Sequence, residues 1–348
     1  MSPGTIAAGK KTSPSSGGSR QPIGVDIGTA NIVVYTNGQA NATAQMEANA
    51  FFTVPALPNT RKILETKAVR FFEKDDRLHV IGNAAEEFAS ILGGTTRRPM
   101  ESGLVNLKES DSIRVIEAIL DPMIPPPARK DQPLWFSVPG EPVGQSGAVI
   151  FNESIFKSYL KGRGYAPRGI NEAMAVIIAE LTDQNATGIG ISLGGGMCNI
   201  CFSYLSIPAV TFSIPKGGDS IDQTVGLSVG ESATKIKGIK EQGLDLRAAP
   251  RNNIEHGLHA AYDDLFTRLA RSLAEVFRGA DTMPRLKQAV PLVLSGGTVL
   301  PPGSRERFEA ILGEVELPVH ISKVIQAREP LLATAKGAYM MAVAEDEK

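Results

Sequence analysis

The stretch Ile23 to Tyr35, IGVDIGTANIVVY, returns in altered form as IGISLGGGMCNICFS at Ile189 to Ser203. At an offset of 166 (189 − 23), Ile23, Gly24, Val25, Asp26, Ile27 and Gly28 fall on Ile189, Gly190, Ile191, Ser192, Leu193 and Gly194. In each copy apolar residues alternate into a glycine turn and out again, the pattern of a β-hairpin. Glycine lets the backbone approach an anion with no Cβ in the way, and amides turned inward make a phosphate cradle. A chain that carries such a unit twice is constrained to fold as two similar lobes, with the two cradles gripping one polyphosphate between them.

Length agrees, since 348 residues suit two lobes of roughly 150 each. Hydrophobic residues at 42% and charged residues at 21% describe an ordinary globular chain. A net charge of −1 leaves no strongly basic face, which argues against nucleic acid as the main partner. No apolar run reaches the roughly 18 residues of a membrane span, and the first residues lack the apolar core of a signal peptide, so a cytoplasmic location is expected. Cys198 and Cys201 stand three apart on the strand leaving the second turn, so they point to opposite faces and read as buried packing residues rather than a redox or metal pair.

Residues 1–21 are rich in Ser and Gly, carry Lys10, Lys11 and Arg20, and contain no acid or aromatic residue. Such a segment is expected to be disordered, either as a basic tail for an acidic partner or lipid headgroups or as a solvated leader. Asn37-Gly38 signals a tight turn into a third strand, and residues 45–80 read as a small inserted subdomain. A strand is expected at Leu134–Val138 and helices at Ser154–Leu160 and Asn171–Leu181. After Lys216-Gly217-Gly218, Asp219 or Ser220 is placed to cap a helix. Residues 215–281 are read as mostly helical, with the clearest 3.6-residue period over Ile254–Phe277. His256 and His259 lie three apart there and read as surface or capping residues rather than metal ligands. Strands alternating with helices make the chain α/β. The lobes are expected to span 22–170 and 171–325, with residues 326–348 returning as a helix to the first.

Three glycine turns, at Gly28, at Gly194 to Gly196 and at Gly296-Gly297, each follow a strand, where α/β sheets bind ligands. Asp26 is an acid beside a phosphate loop. Either it holds Mg²⁺, since a bare carboxylate there would repel phosphate, or it caps its own turn.

The run Asp26-Ile27-Gly28-Thr29-Ala30-Asn31 with Val33-Val34-Tyr35 resembles the first phosphate loop of the actin, sugar kinase and chaperone superfamily, and within it MreB, the bacterial actin. The resemblance extends over residues 22–345. It includes Ile81 to Glu86, Arg98-Pro99-Met100 with Gly103, Val138-Pro139, Asn171 to Ala175, Lys216 to Asp219, Gly230 to Lys237, Ser295 to Gly297 and Ala333 to Ala338. It implies a two-lobed actin-like, ribonuclease H-like fold with ATP or ADP and Mg²⁺ in the cleft. The nucleotide would lie against Gly28, Thr29, Ala30, Asn31, Gly194, Gly195, Gly196, Gly217, Gly218, Thr234, Lys235, Lys237, Gly296, Gly297 and Thr298, with Asp26 toward the metal. Glu172, Glu141 and Gln145 are the candidates to orient an attacking water.

Departures from the family pattern bear on turnover. Ser192 replaces an acid of the second phosphate loop, Met197 replaces a threonine, and Thr234 stands where the family has a glutamate for the ribose hydroxyls. Hydrolysis is therefore expected to be slow or lost while binding persists. The resemblance implies an actin-like ATPase that binds itself head to tail in filaments, with no membrane anchor evident. The alternatives are a non-polymerising nucleotide-binding adaptor and, third, a small-molecule kinase.

Overall fold

A computed structural model describes residues 22–37, 42–144, 147–284, 286 and 288–347. The tail at 1–21, Gly38 of the expected turn and Gln145 lie outside the described residues.

The chain opens with β1 (Ile23–Ile27), β2 (Asn31–Asn37) and β3 (Ala42–Ala48) as an antiparallel meander. A smaller unit follows: β4 (Phe51–Pro55), α1 (Pro58–Thr66), β5 (Phe71–Lys74), β6 (Arg77–Ile81) and α2 (Asn83–Ile91), with a three-stranded sheet in the order β4-β6-β5. Its strands begin at Phe51, because residues 45–48 complete β3 at the edge of the main sheet. Next come the short pair β7 (Met100–Glu101) and β8 (Leu104–Val105), then α3 (Ser112–Met123), β9 (Gln132–Val138), α4 (Ala148–Gly162) and β10 (Tyr165–Asn171). The first sheet is ordered β3-β2-β1-β9-β10.

After α5 (Glu172–Leu181) the plan repeats. The meander β11 (Gly188–Leu193), β12 (Cys198–Tyr204) and β13 (Ile207–Ile214) precedes the helices α6 (Gly218–Val229), α7 (Ala233–Gly243) and α8 (Asn253–Gly279). Then β14 (Val290–Ser295), α9 (Ser304–Gly313) and β15 (Ile321–Gln326) lead to α10 (Ala333–Asp346). The second sheet, β13-β12-β11-β14-β15, has the same order as the first. Register repeats as well: Ile23 faces Thr36, and 166 residues on, Ile189 faces Phe202.

The join between the halves rests on glycines. A Cβ on Gly24 would stand 2.2 Å from the Ala335 carbonyl oxygen, and one on the equivalent Gly190 would stand 2.3 Å from that of Ala173. Helix α10 therefore lies on β1 as α5 lies on β11. The two helices cross at Gly337, where a Cβ would come 1.9 Å from the Ala175 carbonyl oxygen. Separate apolar cores fill each half, and a third, which includes Ala173, Ala175, Ala333 and Ala338, joins them. Cys198 belongs to the core of the second half and Cys201 to the joining core, on opposite faces of β12; burial pushes both thiols up to about 12. No described helix is long and apolar enough to cross a membrane.

Candidate functional site

The two glycine turns are held in the same way. The Gly28 amide donates to the Asn31 carbonyl at 3.0 Å, and the Gly194 amide donates to the Met197 carbonyl at 3.0 Å, again 166 residues on. The turn carbonyls are then drawn outward. On the first turn, Asn49 Nδ2 donates to Gly28 O at 2.8 Å, while the Asn49 amide (2.8 Å) and Arg98 Nη1 (3.2 Å) donate to Ala30 O. On the second, the Gly218 amide (3.0 Å) and Thr298 Oγ1 (2.9 Å) donate to Gly194 O, and the Asp219 amide donates to Gly195 O at 2.9 Å. The amides of Thr29, Ala30, Gly195 and Gly196 take no hydrogen-bond partner among the described residues. Anchored carbonyls with free amides form a nest for an anion, and here two nests meet: a Cβ on Gly195 would lie 2.9 Å from the Ala30 Cβ.

Both turns line one cavity of about 740 Å³, within the range of small-molecule sites. Of the residues expected to face a nucleotide, Gly28, Thr29, Ala30, Asn31, Gly194, Gly195, Gly196, Gly218, Lys237, Gly296, Gly297 and Thr298 line it, as do Asp26, Glu172 and Ser192. Gly217, Thr234, Lys235 and Glu141 stand outside the lining. Gly217 backs the second turn, since its Cβ would meet Gly194 O at 2.4 Å. Helix α7 turns Lys237, Lys240 and Glu241 inward at three- and four-residue spacing, so Thr234 sits a turn beyond the cavity and Lys235 pairs outside with Glu231. The carbonyl of Glu141 accepts from the Ser213 amide at 2.8 Å, beside the second sheet. Helix α6 begins at Gly218 with Gly217 in the capping position and no side-chain cap, so neither Asp219 nor Ser220 fills that expected role. The Asp219 amide is taken by Gly195 O, and Ser220 Oγ donates back to Gly217 O. His259 Nδ1 shares a hydrogen bond with Arg307 at 2.9 Å, away from the cavity.

Asp26 and Glu172 enter from opposite halves. Ser137 Oγ donates to Asp26 Oδ1 at 2.7 Å and accepts from the Ile27 amide at 3.0 Å. Asn171 caps α5 by accepting from the amides of Ala173 and Met174, which sets Glu172 in the first turn. Asn199 Nδ2 then donates to Glu172 Oε2 at 2.8 Å. Burial raises Asp26 to about 6 against the Ser137 hydrogen bond. Burial and then the charge of Asp26 raise Glu172 to about 8. A buried carboxylate raised by the charge of its neighbour is a place where a cation between the two would be favourable.

The charge inventory agrees. Seven carboxylates line the cavity against two lysines, Lys237 and Lys240, each already paired with a carboxylate, Glu86 and Asp222. An anionic ligand needs positive charge brought with it. Among the described residues no group of three or more His, Cys, Asp or Glu side chains could hold a metal alone. Mg²⁺ uses one or two carboxylates and otherwise waters and ligand phosphates, a demand that Asp26 and Glu172 could meet.

Lys240 and Asp222, at 2.8 Å, escaped the sequence reading, as did Tyr262, whose hydroxyl donates to Thr298 O at 3.1 Å. Residues 18 apart in sequence gave no local pattern to find them by.

No curated protein matches the chain in sequence. Among solved structures, a MamK double helical filament superposes with a TM-score of 0.68 at 16% identity, covering 93% of this chain and 99% of that one. MreB 5 of Spiroplasma citri bound to AMPPNP superposes with a TM-score of 0.68 at 16% identity, covering 94% and 98%. Ethanolamine utilization protein EutJ from Carboxydothermus hydrogenoformans gives 0.56 at 17%, covering 95% and 91%. These likenesses show the two-lobed actin-like fold. A family model described as Volactin matches residues 22–342, nearly the whole of the repeated architecture, and the chain belongs to the Volactin family.

Proposed function

We propose that this chain is an actin-like cytoskeletal protein that binds ATP or ADP with Mg²⁺ between its halves and assembles head to tail into filaments in the cytoplasm. The observation that carries the reading is the pair of equivalent turns, each with free amides, facing one acid-rich cavity. A polyphosphate would lie against the amides of Thr29, Ala30, Gly195 and Gly196. Asp26 and Glu172 would hold Mg²⁺ through water, and the metal when bound would supply the positive charge that the lining lacks. Leu244, Leu300 and Leu331 give the far end of the cavity an apolar wall suited to a purine ring. Glu172 is the candidate to orient an attacking water, since Glu141 stands apart. Ser192 offers a hydroxyl where Asp26 stands in the first half, so turnover is slow.

Self-assembly is supported by the fold shared with the MamK filament, and two unlike ends of such a chain stack without closing. The non-polymerising adaptor is the second reading, favoured by Ser192 and by Met197, whose sulfur would lie 2.5 Å from a Cβ on Gly103 and so fills space beside the second turn.

Pelleting and negative-stain microscopy with and without ATP and Mg²⁺, run beside phosphate release, test the proposal. Nucleotide-dependent filaments are expected, with phosphate release trailing assembly. A monomer that binds ATP without pelleting would overturn the filament reading in favour of the adaptor.

A further inference from the structure

The rim of the cavity carries an ion pair between the halves. Lys237 Nζ, on α7, stands 2.7 Å from Glu86 Oε1, on α2. Both residues line the cavity, and their side chains keep 19% and 34% exposure, which places the pair at its edge. Among the described residues it is the one salt bridge joining residues 22–171 to residues 172–332. Other contacts between the halves include the α5 and α10 crossing, the Gly140 amide donating to Asn199 Oδ1 at 2.8 Å, the Ser213 amide donating to Glu141 O at 2.8 Å, and the touching glycine turns. The rim pair is therefore a side-chain link between the halves apart from these joins.

Glu86 does more than hold Lys237. Arg98 Nη2 lies 3.3 Å from the same Oε1, and Arg98 Nη1 donates to the carbonyls of Ala30 at 3.2 Å and Asn49 at 3.3 Å. Ala30 belongs to the first glycine turn, and Asn49 is the residue that holds the other carbonyl of that turn. One carboxylate thus connects a lysine of the second half to the backbone that presents free amides in the first.

We propose that Glu86 couples the rim to the turn: with Lys237 it closes the cavity over the bound ligand, and through Arg98 it positions the first glycine turn to receive the ligand's phosphate. The proposal rests on the nucleotide reading of the cavity and adds its control. Lys237 is then the strap of the site rather than a direct ligand of the nucleotide, and Arg98 is a positioning residue. Closing a strap that shares its carboxylate with the turn makes release of the ligand and opening of the rim one event.

Displacement of a fluorescent ATP analogue by excess unlabelled ATP in Mg²⁺ buffer separates the two roles of Lys237. Glu86→Gln and Lys237→Met are each expected to speed release about 3- to 10-fold, with the double variant no faster than Glu86→Gln, since both act on one device. Release from the wild type should accelerate with added salt while release from Glu86→Gln does not. If Lys237 contacted the nucleotide directly, Glu86→Gln would free its ammonium for the ligand and slow release; that result overturns the proposal, as do equal rates in all four proteins. Failure of the nucleotide reading looks different, because the analogue then does not bind the wild type. Hydrogen exchange of the ligand-free protein decides the proposal in that event. Glu86→Gln should speed exchange at Gly28 and Asn49, whose amides donate within and to the first turn, and leave Glu172–Leu181 protected as in the wild type, whereas unchanged exchange at Gly28 and Asn49 overturns it.

Discussion

Replacing Glu172 by glutamine is expected to stabilise the ligand-free protein increasingly as pH rises. Burial and the facing charge of Asp26 lift Glu172 from 4.5 to about 8. Between those two values the folded chain keeps a proton that the unfolded chain gives up, so stability falls as pH rises through that window. Below 4.5 the group is protonated in both states and no penalty applies. Each tenfold in proton affinity is worth about 1.4 kcal/mol, which sets a ceiling of about 5 kcal/mol for the penalty above pH 8. Glutamine keeps an oxygen for Asn199 Nδ2 and carries no charge, so it removes the penalty without emptying the space. Urea unfolding of both proteins in chelator, at pH 5, 6.5 and 8, is the assay. The curves should nearly coincide at pH 5 and separate by at least 1 to 2 kcal/mol at pH 8, about a third of the ceiling. A constant difference across the three pH values would refute the claim that the folded chain holds Glu172 protonated above the ordinary carboxylate range. The same substitution should weaken Mg²⁺-dependent nucleotide binding about tenfold or more, since one of two acids facing the cation is gone.

Gly24→Ala and Gly190→Ala should each destabilise the fold by about 3 kcal/mol, because the new methyl meets helix backbone that cannot turn aside. Gly238→Ala, inside α7 with nothing within 4 Å, should instead stabilise it by about 0.5 to 1 kcal/mol, and thermal unfolding of the three separates packing from helix propensity. Ser192→Asp should raise phosphate release about 10²-fold if the missing acid limits turnover. Unchanged release with intact ATP binding would show that the limit lies elsewhere.

The repeat was legible because it is local. Hairpin, glycine turn and register all sit within a few residues of Gly28 or Gly194, so spacing alone carries them. The helix over Asn253–Gly279 and the strand over Gln132–Val138 announce themselves by periodicity and apolar runs for the same reason. What the sequence could not show is made by distance along the chain. Asn199 meets Glu172, Thr298 meets the second turn 104 residues away, and Lys237 meets Glu86 across 151. The placement of α7 shows the limit within one helix. Thr234, Lys237 and Glu241 share one of its faces, but how far along that face the cavity reaches depends on packing, and the lining begins at Lys237 rather than at Thr234.

The same distances explain why neither hairpin suffices. Each turn presents amides only because something outside its hairpin pulls its carbonyls away: Asn49 and Arg98 in the first half, α6 and Thr298 in the second. In the second half the anchors Gly218, Asp219 and Thr298 themselves line the cavity, so a change in wall position is felt at that turn. Seven carboxylates line the cavity, and the rim pair between Lys237 and Glu86 neutralises one of them and joins the two walls. A ligand that arrives with its own divalent cation would meet the remaining carboxylates with attraction and leave the rim pair unchanged. Under the proposed reading, occupancy would therefore favour closure through charge, before any contact to a base or sugar is counted.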